Sequence, residues 1–169
     1  VLSSLKQSRE FRPNLDDVEQ FLNEDPSPKA IILNTPQNPT GGIATEEDLR
    51  DLSDLVQGRG VAVFSDEPYD QMAWSGKHYS PLALPGMMDC CVAAYTFSKS
   101  FSMSGWRLGF AVSSLEIIEM LAKLTNTTLS CVPPFSQMAG AAALKNDLAE
   151  RDRRMQDCQE RVRQLVDDL

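Results

Sequence analysis

Apolar and polar positions fall into blocks whose periods change along the chain. KAIILN, residues 29–34, is a short apolar run between PSP and TPQNP, which predicts a buried strand. TEEDLRDLSDLVQ, residues 45–57, predicts a helix. Thr45 can cap it, acidic residues fill the first turn, Leu49, Leu52, Leu55 and Val56 share one face, and Gly58 ends it. VAVFS, residues 61–65, predicts a second buried strand. Strand, helix and strand in this order make a βαβ unit, hence a parallel sheet with a right-handed crossover. Further strands are expected at 90–96 and 108–112, and helices at 115–125 and 135–144. From Leu148 the chain is charged, with Met155, Cys158, Val162, Leu165 and Leu169 three and four residues apart. The stripe is short for a coiled coil, and an amphipathic helix leaving one domain for another is the better reading.

Composition narrows the function classes. The 169 residues are 42% hydrophobic, enough for one domain with a real core. A formal net charge of −8 argues against a nucleic-acid backbone as partner and reads as a solubilising acidic surface. No apolar span is long enough to cross a membrane. Cys90, Cys91, Cys131 and Cys158 form no C-x-x-C pair and His78 is the sole histidine, so a zinc site lacks ligands. Cys90 and Cys91 lie in an apolar run and read as buried free thiols, which suits a reducing compartment, the cytoplasm. The first residue is valine, so the chain is expected to begin within a longer protein.

Three predicted strands end on residues able to do chemistry, and in α/β sheets ligands sit at such ends. After KAIIL comes NTPQNPTGG with Asn38; after VAVFS comes DEPYD with Asp66 and Tyr69; after residues 90–96 comes Lys99. TFSKSFSMSGWRLGF, residues 96–110, adds Thr96 and a lone Arg107. Singly, each is ordinary: a turn, a loop carboxylate, a solvated lysine. Together they bring an amine, a carboxylate, a phenol, an amide and a guanidinium to one sheet edge. That set matches pyridoxal 5′-phosphate, whose aldehyde needs a lysine amine, whose pyridine nitrogen needs a carboxylate, and whose phosphate suits arginine and hydroxyls.

On NPTG (38–41), SDEPY (65–69) and TFSKSFSMSGWRLGF, in matching order and spacing, the chain resembles the class I/II, fold-type I pyridoxal-phosphate-dependent aminotransferases of the aspartate aminotransferase-like group. GKHYSPLALPG and SCVPPFSQMAGAAAL also look like this family, and the resemblance runs from about Lys29 to the end. It implies a three-layer α/β/α large domain with a mostly parallel sheet, present in part. Residues 1–147 would belong to that domain and 148–169 would lead toward a C-terminal small domain. Lys99 resembles the Schiff-base lysine, and Asp66 the partner of the pyridine nitrogen. Tyr69 and Asn38 resemble donors to the phenolic oxygen, Asn38 also touching the substrate carboxylate in many members. Arg107 and Thr96 resemble the phosphate-binding residues, Thr96 standing where serine is usual. Pro68 replaces a branched aliphatic residue. The resemblance also implies a cis Asn38–Pro39 bond, a Gly105 that lets the backbone turn closely, and a supporting hydrogen-bond role for Ser98.

The implied activity is transfer of an amino group between an amino acid and a 2-oxo acid by a homodimer. The family's chains run to more than twice this length, so the resemblance implies a segment that lacks the ring-stacking aromatic residue, the substrate-gripping arginine and the small domain. Two alternatives share the same motifs: a lyase or synthase on the same fold, and a non-catalytic regulator that senses pyridoxal phosphate.

Overall fold

The computed structural model describes residues 3–169, so the first two positions of the expected 1–147 domain lie outside the described residues. Four strands form one sheet in the order β1 (Ala30–Asn34), β2 (Ala62–Asp66), β3 (Cys91–Thr96) and β4 (Gly109–Val112). β1, β2 and β3 are mutually parallel, with Asn34 opposite Asp66 and Asp66 opposite Ala94; β4 runs antiparallel to β3. The mostly parallel α/β class is as expected. So are all four strands and the helices α2 (Glu46–Val56), α3 (Leu115–Thr128), α4 (Pro134–Asn146) and α5 (Leu148–Asp167).

Local chemistry explains where α2 begins. The Thr45 hydroxyl accepts from the Asp48 amide at 3.1 Å, and the Asp48 carboxylate accepts from the Thr45 amide at 2.8 Å. This reciprocal box satisfies two N–H groups that a helix start leaves orphaned. Arg12 adds an ion pair to Asp48 at 3.2 Å, tying the preceding segment to the helix start. α1 (Leu15–Glu24) is not among the predicted elements; Leu15, Val18, Phe21 and Leu22 turn its apolar stripe inward.

The core lies between these two helices and one face of the sheet. Leu33, Val63 and Cys91 project from successive strands onto Leu22, Leu49, Leu52 and Val56, with Met87 closing one side. The opposite face departs from expectation. β1 and β2 read as fully buried strands, yet Ile32 is 77% exposed and Phe64 42% exposed. Parallel strands are apolar on both faces because helices normally cover both. Here α1 and α2 cover one face, while the face with Ile32 and Phe64 lies open.

α3, α4 and α5 carry much apolar surface outward: Leu115, Leu124, Phe135 and Met138 are all exposed. α4 is nonetheless anchored, because a Cβ at Gly140 would fall 2.4 Å from Leu108 Cδ2. A side chain there would force Leu108 to move. α5 is held at its start, where the Arg151 guanidinium lies 5.6 Å from the centroid of the Phe101 ring. Its far end, with Leu165 and Val166, is bare.

Candidate active site

The side chains of Asn34, Asp66 and Thr96 share one face of the sheet, because strand alternation fixes their parity and the register aligns them. It is the uncovered face. β1 ends at Asn34, whose side-chain amide donates to the Asp66 carbonyl at 3.0 Å and to Asp66 Oδ2 at 3.3 Å. Its Oδ1 accepts from the Asn38 backbone N–H at 2.9 Å. Asn34 therefore ties two strand ends to the Asn38 loop. In that loop both Thr35–Pro36 and Asn38–Pro39 are cis, the second as expected.

Asn38 Nδ2 donates to the Tyr69 hydroxyl at 3.2 Å. The Lys99 ammonium lies 5.4 Å from the centroid of the Tyr69 ring, within cation–π range. Asn38, Tyr69 and Lys99 are thus neighbours, and Asp66 joins them through Asn34. Thr96 ends β3 and Arg107 lies in the connection that follows. The Thr96 hydroxyl accepts from the Ser98 amide at 3.1 Å, so it organises the turn that carries Lys99. Arg107 donates to the Ser104 carbonyl at 2.9 Å and reaches none of the other site residues by hydrogen bond or ion pair among the described residues.

Gly105 does not play the part expected of it. It sits in a short 3₁₀ turn with open space around it, and the left-handed positions in this connection are Ser102 (φ 54°) and Arg107 (φ 50°). The turn is thus made by non-glycine residues, a conformation that costs energy and persists where the surroundings enforce it. Trp106 is half exposed, while Phe110 stacks on Tyr95 at 5.1 Å between ring centroids.

Asp66 titrates above the ordinary aspartate range. Burial is the larger cause and the neighbouring charge of Glu67 the smaller. Among the described residues no lysine or arginine pairs with it. A half-buried carboxylate with a raised pKa and no cation beside it is matched to a protonated nitrogen from a ligand. Lys99 and Arg107 likewise have no carboxylate partner among the described residues. The donor set therefore fits pyridoxal phosphate: an amine for the aldehyde, a carboxylate for the ring nitrogen, an amide and a phenol for the ring oxygen, and a guanidinium for the phosphate.

A second cluster lies on the covered side of the same strand ends, and sequence reasoning missed it. Glu67 is fully buried. Ser65 and Ser80 donate to its Oε1 at 2.8 Å each, and His78 Nε2 bonds its Oε2 at 2.8 Å. The Tyr95 hydroxyl donates to Ser80 at 3.3 Å, and burial raises the Tyr95 phenol. The signal was present in alternation: Glu67 stands two residues after Ser65 and so faces inward. Two of its partners, His78 and Ser80, come from a distant loop, which no local pattern connects. Cys91, also on this side, is pushed up to about 12 by burial first and by Glu67 second, and all four cysteines are free.

Comparison with known proteins gives concordant matches. The family model "Aminotransferase class I and II" matches residues 2–169. The aspartate aminotransferase of Pyrococcus abyssi is 37% identical over 142 residues, covering 83% of this chain and 36% of that protein. Aromatic-amino-acid aminotransferase 2 of Thermococcus litoralis is 34% identical with the same coverage. The solved aromatic aminotransferase from Pyrococcus horikoshii superposes with a TM-score of 0.86 at 35% identity, over 95% of this chain and 43% of that one. The chain thus spans a little over a third of the length of these two sequence relatives.

Proposed function

The chain belongs to the class I and II aminotransferases, and on that premise we propose that it is part of an enzyme that moves an amino group between an amino acid and a 2-oxo acid. The observation that carries the reading is the group Asn38, Tyr69 and Lys99 beside an Asp66 carboxylate that lacks a protein cation. Pyridoxal phosphate, on which this family depends, supplies when bound an aldehyde that captures amines and a ring that withdraws electrons from the substrate Cα.

The chain's own residues divide the remaining work. Lys99 would offer its amine to the aldehyde and would be the base placed to hold or move the substrate Cα proton. Asp66 would pair with the pyridine nitrogen and favour its protonated form. Tyr69 and Asn38 would donate to the ring oxygen, and Asn38 would also meet the substrate carboxylate. Arg107 and Thr96 hold the phosphate, arginine by its planar fork of donors.

The same proposal covers the setting. Residues 1–147 form part of the cofactor-binding domain, and α5 leads toward a second domain. The whole protein is a homodimer in the cytoplasm; the exposed apolar side chains of α3 and α4 and the free thiols support these two points. Among the described residues no helix is long and apolar enough to cross a membrane, and the net charge of −8 does not favour nucleic acid.

The test is borohydride trapping of pyridoxal phosphate on the whole protein, followed by peptide mapping and an amino-transfer assay over a panel of 2-oxo acids. The label is expected on Lys99, with turnover on at least one pair of substrates. Label on Lys77 or Lys123 overturns the site.

A further inference from the structure

The buried cluster under the strand ends has no part in the chemistry just described, yet it abuts two residues that do. Glu67 lies between Asp66 and the Pro68–Tyr69 pair, on the opposite side of the sheet from the site. Its backbone amide donates to the Ala94 carbonyl at 2.9 Å, continuing the β2–β3 ladder one residue beyond the strand. Its carboxylate receives three bonds, from Ser65, Ser80 and His78. Both oxygens of the carboxyl group are thereby engaged, Oε1 by two hydroxyls and Oε2 by the imidazole. His78 is itself largely enclosed, with Nδ1 buried and without a hydrogen-bond partner. The imidazole is thereby committed to Glu67 alone.

A carboxyl group this well bonded cannot rotate away, and the backbone that carries it cannot twist without breaking several bonds at once. Asp66 and Tyr69 hang from that same backbone. We propose that Glu67, clamped by Ser65, His78 and Ser80, is a positioning residue that fixes the direction of Asp66 and Tyr69 toward the site. This rests on the reading of the site given above. The other titratable groups around Glu67 are His78, Asp66, Tyr95, Cys91 and Asp70. Tyr95 and Cys91 stay neutral near neutral pH, and Asp70 has its own partner in Gln71 at 2.8 Å. Glu67 is therefore the carboxylate nearest in sequence to Asp66, and its negative charge adds to burial in raising Asp66.

The experiment uses the whole protein and two readouts. In the cofactor-free protein, carbon-13 labelling of aspartate carboxyls follows the titration of Asp66. Glu67→Gln removes the charge and keeps the volume, so the Asp66 midpoint falls by about half a pH unit or more, roughly threefold in proton affinity. An unchanged midpoint overturns the proposal. The second readout is the dissociation constant of pyridoxal phosphate, measured by the change in its absorbance. Glu67→Gln weakens binding about tenfold in the native background and less than about twofold beside Asp66→Asn, because contacts acting through one residue are not additive. Equal losses in both backgrounds mark a merely structural role and overturn it.

Should Glu67→Gln not fold, His78 carries the same test. His78→Gln restores an N–H donor toward Glu67 and keeps the cofactor affinity within about twofold, whereas His78→Ala loses about fivefold or more. Equal losses in the two variants overturn the clamp. If the native protein binds no pyridoxal phosphate while the Asp66 midpoint still shifts, the aminotransferase reading of the site falls and the coupling of Glu67 to Asp66 stands.

Discussion

The two faces of the sheet use the same strands for opposite ends. On the covered face Leu33, Val63 and Cys91 are buried, and the polar groups at the strand ends, Ser65 and Glu67, are fully enclosed and fully bonded. On the other face Ile32 and Phe64 are exposed, and the strand ends present Asn34, Asp66 and Thr96 to the opening. One residue step converts structural anchor into candidate chemistry, since neighbours on a strand point to opposite sides. Asp66 and Glu67 are the clearest case. Both are carboxylates, yet Glu67 is saturated by donors and Asp66 is left wanting a cation. The lesson is that rigidity and reactivity are divided across the sheet rather than mixed within one pocket.

The largest way to break this division is at Lys99. If the uncovered face carries the chemistry, Lys99→Ala in the whole protein lowers amino-transfer turnover at least ~10⁴-fold, roughly 5 kcal/mol of barrier. Stability should scarcely change, within about 0.5 kcal/mol, because Lys99 is an exposed loop residue. Steady-state kinetics and a denaturant titration together decide it. Residual turnover near the native level would mean that the chemistry lies elsewhere.

The next effect belongs to the covered face. Leu52 is almost wholly buried among Leu49, Val56 and Val63. Leu52→Ala should cost about 2–5 kcal/mol, from lost burial and the cavity left behind. Ile32→Ala, on the same sheet but pointing outward, should change the stability of this 169-residue chain by no more than about 0.5 kcal/mol. Comparable losses at the two positions would show that something covers Ile32 in solution, and the contrast between the faces would then describe a partial assembly.

Much of this was legible beforehand, for physical reasons that also mark the limits. Asp66 ends an apolar run, Asn38, Tyr69 and Lys99 come within four residues of a strand end, and parallel strands deliver their ends to one edge. Thr45 announces α2 because capping is local chemistry. Asn34 was not legible, since its three bonds go to Asp66 and to the Asn38 backbone, and nothing nearby in sequence demands them. Glu67 and His78 meet across eleven residues of irregular loop. The openness of Ile32 and Phe64 was misjudged because an apolar strand reports what it is built to meet, not whether that layer is present.

A smaller effect sharpens the comparison at a helix start. Thr45→Ala removes the acceptor for the Asp48 amide and should destabilise by about 1 kcal/mol. Thr45→Ser keeps the hydroxyl and should recover most of it. The same substitution should leave the cofactor affinity unchanged, because α2 lies behind the covered face. A parallel loss of affinity would mean that helix start and site are mechanically coupled.

The smallest effect is the most telling about the uncovered face. Asp66 is raised in the folded cofactor-free protein, so the folded state holds its proton more tightly than the unfolded chain does. The group's contribution to stability is therefore fully present below the ordinary aspartate value of 3.8 and is lost as pH rises through the elevated folded value. At neutral pH the ionised Asp66 is then a small cost to the fold. Asp66→Asn should then raise the melting temperature of the cofactor-free protein slightly at neutral pH, and the gain should vanish below about pH 3.8. With pyridoxal phosphate present the order should reverse, because the ligand stabilises in proportion to its affinity and the asparagine variant binds it less tightly. Thermal scans at two pH values, with and without the cofactor, test all four arms. A variant destabilised at neutral pH without cofactor would mean that the bonds from Asn34 outweigh the charge, and Asp66 would belong with Glu67 among the anchors.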